Sequence, residues 1–158
     1  MKMKITFCFE PPNSLSMLAL CKSGVRAYAT DGKESKSVTT LWLQLNDGAR
    51  LRIRSNMHDV SGWDEIGTLA FQAVEANEIP QSEDLPSSWM QIILIEALVF
   101  DSDECMAECG IMVHNVLGET LTVLPGSDVH TLAIQAPFFA GTFSPENDVS
   151  RYRHLALV

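Results

Sequence analysis

Basic residues are scarce in this chain: 11 Lys and Arg stand against 20 Asp and Glu, which gives a net charge of −9. A surface with this balance repels phosphate backbones, so we expect no general nucleic-acid binding. Cysteine is also scarce. Four cysteines in 158 residues are too few for a disulfide scaffold, and we interpret them as reduced thiols that mostly pack inside.

Long apolar runs are missing as well. The most apolar run, Ile92 to Phe100, is too short to span a bilayer and contains Glu96. The N-terminus carries charge, and Glu10 with two prolines follows too early for the apolar core of a signal peptide. We therefore expect a cytosolic protein without membrane association, folded as one domain over residues 1–158.

The common catalytic and ligand-binding motifs are absent. The sequence contains no glycine-rich phosphate loop, no HExxH, no GxSxG and no complete EF-hand loop. Asp101–Glu104 begins like a calcium loop, but Cys105 and Met106 stand where an oxygen ligand and a glycine belong. We expect no cofactor, and an enzymatic function is the less favoured hypothesis.

What the sequence does contain is two segments of the same kind, residues 41–54 and 111–123. Each has an alternating strand, a short loop ending in glycine, and a second alternating strand, which is typical of a β-hairpin. In the first segment a three-residue loop sets Leu43 opposite Leu51 and keeps the apolar side chains on one face. A two-residue loop would set Leu43 opposite Arg52 and break that face.

The same rule predicts the register of the second hairpin. Val113 should lie opposite Leu121, with Gly118 in the left-handed conformation that Gly48 adopts in the first loop. The likeness suggests two hairpin-centred halves, about 38–70 and 108–140. The alternative, which we favour, is that hairpins in β proteins look alike.

The rest of the chain also reads mainly as strands. Further strands are predicted at Ile5–Phe9, Ser16–Leu20, Val25–Ala29, Met90–Phe100 and Thr131–Ala136, with a mobile polar loop at Asp31–Ser37 and a short helix at Ser144–Arg151. Residues 63–76 fit a helix or a strand, and we favour a strand because Gly67 and Thr68 disfavour a helix interior. About nine or ten strands with at most one or two short helices predict an antiparallel β-sandwich or flattened barrel.

A positive stripe runs along the first hairpin. Arg50, Arg52 and Arg54 share the face opposite to Leu51 and Ile53. Trp42 should lie opposite Arg52 and could stack on its guanidinium. The stripe could hold a carboxylate, a phosphate or an acidic partner surface. The alternative is a solvated face whose arginines are balanced by nearby acids.

Three other side chains are candidates for chemistry. Glu96 lies in an apolar strand, where burial would raise its pKa and make it a general acid or base in a pocket, unless a bulge or a cation relieves it.

His58 and Asp59 occupy a polar link that also carries Trp63. Proton transfer is possible there, but a loop that caps the core with Trp63 is the favoured interpretation.

Cys105, Cys109 and His114, together with His130, have the spacing C-x3-C-x4-H-x15-H. Zinc sites use such ligands, but the last gap is long. We favour ordinary thiols near a turn and predict no metal.

Three functions remain open. The favoured one is a non-enzymatic protein-interaction domain that binds a partner or itself. The second is a small-ligand-binding sandwich or barrel with Glu96 in the pocket. The third is an enzyme that uses His58, Asp59 or Glu96.

Overall fold

A computed structural model describes residues 2–10, 15–32, 37–60 and 64–157. Two β-sheets with a shared apolar core account for most of them, so the protein is mainly β and sandwich-like, as predicted. Trp63 and most of the predicted loop at Asp31–Ser37 lie outside the described residues. None of the helices in the described ranges has the length and apolarity needed to cross a bilayer.

Twelve strands are seen in the described ranges. In chain order they are β1 (Met3–Ile5), β2 (Cys8–Glu10), β3 (Val25–Thr30), β4 (Thr40–Leu45), β5 (Arg50–Val60), β6 (Asp64–Ala73), β7 (Glu83–Asp84), β8 (Ile92–Asp101), β9 (Cys105–Asn115), β10 (Thr120–Pro125), β11 (Leu132–Gln135) and β12 (Tyr152–Ala156). One α-helix, α1 (Leu15–Leu20), and four short 3-10 turns complete the described elements.

The strands divide between two six-stranded sheets. The N-terminal sheet has the order β2-β6-β5-β4-β3-β7. The C-terminal sheet has the order β11-β10-β9-β8-β12, and β1 pairs with β9 beyond the stretch that β10 covers. Neighbouring strands are antiparallel, except that β1 and β2 pair in parallel with β9 and β6.

Both hairpins have the predicted register. Leu43 pairs with Leu51 across β4 and β5, and Val113 pairs with Leu121 across β9 and β10. The two loops contain Gly48 at φ 92° and Gly118 at φ 80°, both in the left-handed region. Alternation of apolar and polar residues therefore determined the register, because a shift by one residue would turn the apolar side chains to solvent.

The ambiguous segment at residues 63–76 is a strand over its described part. β6 pairs with β5 along ten residues, from Leu51 opposite Ala73 to Val60 opposite Asp64. A continuous antiparallel ladder satisfies the backbone of a segment whose Gly67 and Thr68 would weaken a helix.

The main core lies between the sheets. Leu41, Leu43, Leu51 and Ile53 of the first hairpin are fully buried there. The C-terminal sheet contributes a matching set, Ile95, Ala97, Ile111, Val113, Leu121 and Val123. A smaller apolar cluster, which includes Val60, Ile66, Leu98, Cys109 and Tyr152, continues the buried interior. Both hairpins thus contribute their apolar faces to one interior.

Two predictions near the N-terminus are wrong in detail. The predicted strand Ser16–Leu20 lies in helix α1, since the Leu, Met and Ala of this segment favour helix and it has no β-branched residue. The predicted strand Ile5–Phe9 is interrupted. Its start, β1, joins the C-terminal sheet and its end, β2, joins the N-terminal sheet, so this segment links both sheets.

The predicted helix at Ser144–Arg151 is also wrong. Only Val149–Arg151 forms a 3-10 turn, which Asp148 caps by accepting a hydrogen bond from the amide of Ser150. Pro145 instead bridges to Gly126, and the Glu146 carboxylate accepts the amide of Gly67. These tertiary contacts replace the helix that the Ser-Pro-Glu pattern predicts.

Candidate functional site

The clearest candidate surface is the outer face of the first hairpin, which we call the arginine face (Trp42, Arg50, Arg52 and Arg54). Strand β5 alternates, so Leu51 and Ile53 are buried while Arg50 and Arg52 are half-buried and Arg54 is exposed. Trp42 pairs with Arg52 as predicted. The three guanidinium groups therefore emerge on one side of the sheet.

Each guanidinium group contacts an uncharged acceptor of the protein. Arg50 Nη1 donates to the carbonyl of Gly48 at 3.2 Å, and Arg54 Nε donates to Thr40 Oγ1 at 3.3 Å. Arg52 Nη2 donates to Oε1 of Gln72, which lies directly opposite on β6. A guanidinium has five N–H donors, so most donors on this face have no partner within the described part of the chain.

The arginines are not balanced by nearby acids in the described ranges. The ion pairs found there involve Lys2, His114, Arg153 and His154, and none involves Arg50, Arg52 or Arg54. Because the chain has 20 acidic residues, a row of three unpaired cations is the less expected outcome. This row has positive charge available for an external anion.

Trp42 packs against the sheet instead of stacking on Arg52. Its side chain is 9% exposed although it belongs to the outer face, where it lies between Ala29 of β3 and Arg52 of β5. No cation–π contact of Trp42 is seen among the described residues, so the predicted stacking is not found. Its indole nitrogen, Nε1, is buried and has no hydrogen-bond acceptor in the part of the chain that the structure describes. Such an unpaired donor is unfavourable.

Beside the arginine face lies an open hollow of about 580 Å³. We call it the hollow, and it is lined by Asp31, Thr39, Thr40, Trp42, Arg54, Ser55 and His130. Six of these residues come from the N-terminal sheet and its connections. His130 comes from the β10–β11 loop, which approaches because Val38 bridges to Leu132 at the start of β11. The hollow thus forms where a loop of one sheet crosses to the other.

Two features give the hollow a fixed shape. Asp31 accepts the amides of Thr39 and Thr40 at 2.9 and 3.1 Å, and the Thr39 hydroxyl as well, so its carboxylate organises the entry to β4. His130 has φ 65°, the one positive value at a non-glycine residue in the described ranges. Strained backbone of this kind is found more often at functional sites than elsewhere.

Glu96 belongs to a different surface, on the C-terminal sheet. Its carboxylate contacts His114 Nε2 at 2.6 Å and His154 Nδ1 at 3.3 Å. Burial raises the pKa of Glu96, but these hydrogen bonds and the charges of the two histidines lower it, and the pKa is below its ordinary value. The raised pKa that burial alone would cause is therefore not found, because the carboxylate meets two imidazoles, which agrees with the alternative that we favour, a carboxylate relieved by its neighbours.

The apolar strand that contains Glu96 is irregular near its start. A register shift between Ile92 and Leu94 places Ile92 in the core and leaves Leu94 half-buried. The pocket that would contain Glu96 stays a prediction.

His58 and Asp59 have separate surroundings. Both belong to β5, where His58 Nε2 shares a hydrogen bond of 2.9 Å with Thr68 Oγ1 and Asp59 is exposed. Neighbouring side chains on a strand point to opposite faces, so the two do not form a dyad. Trp63, which we predicted beside them, lies outside the described residues.

The four weak metal candidates do not come together as one ligand set, because the two histidines lie away from the two cysteines. Cys109 is the unpaired extra residue of a bulge in β9, and burial raises the pKa of its thiol to about 12. Cys105 is buried in the same apolar cluster. His114 is bonded to Glu96, and His130 lies in the hollow. Within the described ranges no three His, Cys, Asp or Glu side chains are arranged to hold a metal ion.

A second cavity, of about 470 Å³, is acidic. It is lined by Val60, Glu65, Ile66, Phe100, Ser102, Asp103, Glu104, Cys105, Glu146 and Asn147. Burial raises the pKa of Glu146, while the Gly67 amide that it accepts acts in the other direction. Four carboxyl groups make this cavity unsuitable for an anion.

Sequence reasoning missed three residues of these surfaces. Asp31 was assigned to a mobile loop, His130 was considered only as a metal ligand, and His154 lies on β12, a strand that was not predicted. Asp31 meets Thr39 across 8 residues of chain and His154 meets Glu96 across 58, while His130 reaches the hollow from the other sheet. Single-strand periodicity carries no signal for such contacts.

Comparison with known proteins adds no assignment: no family model, no curated protein and no solved structure matches the chain.

Proposed function

We propose that this chain is a cytosolic, non-enzymatic interaction domain whose arginine face binds an acidic segment of a protein partner. The observation that supports this function is the row of three guanidinium groups without an ion-pair partner among the described residues, in a chain with net charge −9. Uncharged acceptors hold each group in place and leave donors free for carboxylates.

The spacing of the face fits an extended acidic segment. Alternate residues of a strand are about 7 Å apart, so Arg50, Arg52 and Arg54 form a regular row. A partner segment in extended conformation with an acidic residue at every second position repeats at the same distance. Each carboxylate can then accept two N–H groups from one guanidinium.

Charge also favours a protein segment over a nucleic acid. A polyanion of uniform charge meets repulsion from the rest of a chain with 20 acidic residues. A peptide with a short acidic stretch contacts the arginine face locally and avoids most of that repulsion. The acidic surface of a second copy meets the same requirement, so self-association is a distinct outcome of the test.

The test is binding of a fluorescent peptide that carries four Glu-Ala repeats and blocked termini, followed by anisotropy. We expect binding at low ionic strength that weakens as salt rises from about 50 to about 300 mM, because exposed ion pairs are screened. Triple replacement of Arg50, Arg52 and Arg54 by Gln should weaken binding by at least about tenfold.

The matched control replaces three exposed cations elsewhere, Lys4, Arg26 and Arg153, by Gln and changes net charge equally. This control should retain most of the affinity. Equal losses in both triple variants would mean that only net charge matters, and the proposal would fail. Absence of peptide binding, together with arginine-dependent self-association in sedimentation, would replace the acidic partner by a second copy of this chain.

A further inference from the structure

Two residues that line the hollow have hydrogen-bond donors without an acceptor in the described part of the chain. Arg54 donates Nε to Thr40 Oγ1 and has four further N–H groups, and the buried Nε1 of Trp42 has no acceptor there. Asp31, the carboxylate that lines the hollow among the described residues, already accepts two amides and a hydroxyl from Thr39 and Thr40. A ligand that supplies acceptor atoms would therefore complete the site.

The position of the hollow connects it with the arginine face. Arg54 and Trp42 belong to both, and the hollow is open. Its volume of about 580 Å³ accommodates an acidic side chain and the adjoining backbone. Among the described residues, the groups that line the space and carry or can carry charge are Arg54, Asp31 and His130. Because Asp31 is already engaged by three donors, Arg54 is the permanently charged group that keeps free N–H donors there, beside the imidazole of His130.

We propose that the hollow is a carboxylate subsite, in which Arg54 and the indole N–H of Trp42 bind one acidic side chain of a segment that lies along the arginine face. This inference rests on the function proposed above and adds the place at which the segment is anchored. A carboxylate has two oxygens, so one can accept from Arg54 while the other accepts from Trp42.

Access to the two donors differs. Arg54 is exposed, and its one hydrogen bond to the described residues is 3.3 Å long, so an incoming carboxylate meets its guanidinium first. Trp42 is 9% exposed, and its Nε1 is covered, so the carboxylate reaches this nitrogen only when neighbouring side chains shift. A new hydrogen bond moves an indole N–H signal strongly downfield, so a large downfield movement of the Trp42 signal reports entry of the carboxylate into the hollow.

The experiment follows the indole N–H signals of the ¹⁵N-labelled full chain by NMR during titration with the Glu-Ala peptide. A Trp42→Phe variant, which lacks this N–H, identifies the Trp42 signal. We expect the signal to move downfield to saturation with the same dissociation constant that anisotropy gives. In Trp42→Phe, which keeps all three arginines, the affinity should fall by about tenfold. Arg153→Gln, on the other sheet, should bind normally.

Two further probes define the chemistry of the ligand. N-acetylglutamate amide carries one side-chain carboxylate without a peptide, and we expect it to move the Trp42 signal at higher concentration. Inorganic phosphate at equal concentration should move it less. A larger effect of phosphate would overturn the assignment of a carboxylate site.

The outcomes separate this inference from the proposed function. Peptide binding that depends on the arginines but leaves the Trp42 signal unmoved would overturn the subsite and keep the interaction face. If the peptide does not bind but N-acetylglutamate amide moves the Trp42 signal, the interaction function fails and the hollow is a small-carboxylate site. If neither probe moves the signal, the subsite is overturned. Because the titration uses the unaltered chain, it gives an answer even if Trp42→Phe fails to fold.

Discussion

Glu96 shows at the residue scale how partners from distant elements determine the chemistry of one carboxylate. The side chain is 17% exposed, and such burial alone would raise its pKa. His114 on β9 and His154 on β12 both contact the same oxygen, Oε1, and lower the pKa below the ordinary value of 4.5. Glu96, His114 and His154 thus form a cluster in which one deprotonated carboxylate connects the neighbouring strands β8, β9 and β12 by hydrogen bonds.

This cluster predicts a pH dependence of stability. Since the pKa of Glu96 is lower in the folded state, its carboxylate contributes stability that is fully present above pH 4.5 and is lost as the pH falls through the lower folded pKa. Glu96→Gln should therefore lower the free energy of unfolding near pH 6, and the difference from the unaltered chain should close below pH 4.5. Urea unfolding between about pH 3 and pH 7 measures this.

Glu104→Gln is the control for that series, because Glu104 is exposed and has no described ion pair. It should change the stability little at any pH. A difference between Glu96→Gln and the unaltered chain that stays constant with pH would show that the histidine contacts do not stabilise the ionised form.

At the scale of elements, the two hairpin loops depend on backbone conformation rather than on packing. Gly48 and Gly118 have positive φ, and a Cβ added at either position would meet nothing within 4 Å. Replacement of either by Val should lower the stability by about 1 kcal/mol or more, because a β-branched residue resists positive φ. Urea melts of both variants measure the loss.

Asn provides the matched comparison for these loops. It tolerates the left-handed conformation better than other non-glycine residues, so Gly118→Asn should be less destabilised than Gly118→Val. Equal stability of the two variants, or no loss in either, would mean that the loops do not require positive φ in solution.

The hairpins also show which elements can be predicted from this sequence. Strict alternation and a loop ending in glycine determined β4, β5, β9 and β10 with their register, because one buried face leaves a single acceptable pairing. Helix α1, the interrupted first strand and β12 were not predicted, since these segments are short and their structure depends on tertiary contacts.

The candidate site divides in the same way. Periodicity predicted the row of Arg50, Arg52 and Arg54 and the position of Trp42, because all lie on two adjacent strands. It could not predict the hollow, where Asp31 and His130 come from loops of different sheets. Nor could it predict that the arginines have no acidic partner among the described residues, which depends on every neighbour in space rather than on the strand itself.

At the scale of the whole molecule, the two sheets depend on each other through one core. Leu43 of the N-terminal sheet and Val123 of the C-terminal sheet are both fully buried in the main core. Neither sheet has another apolar layer of comparable size in the described ranges. A charge placed in this layer is therefore expected to destabilise both sheets together.

Leu43→Asp should abolish folding, because it buries an unpaired carboxylate and removes an apolar side chain from the core. The matched control is Leu117→Asp, since Leu117 is 71% exposed in the second hairpin loop and should accept the same change with little effect. Circular dichroism and urea melts distinguish the results. A soluble Leu43→Asp variant that unfolds cooperatively would place Leu43 in contact with water and contradict the arrangement of the two sheets. Val123→Asp should fail to fold in the same way, because the core that it disrupts also supports the sheet that carries the arginine face.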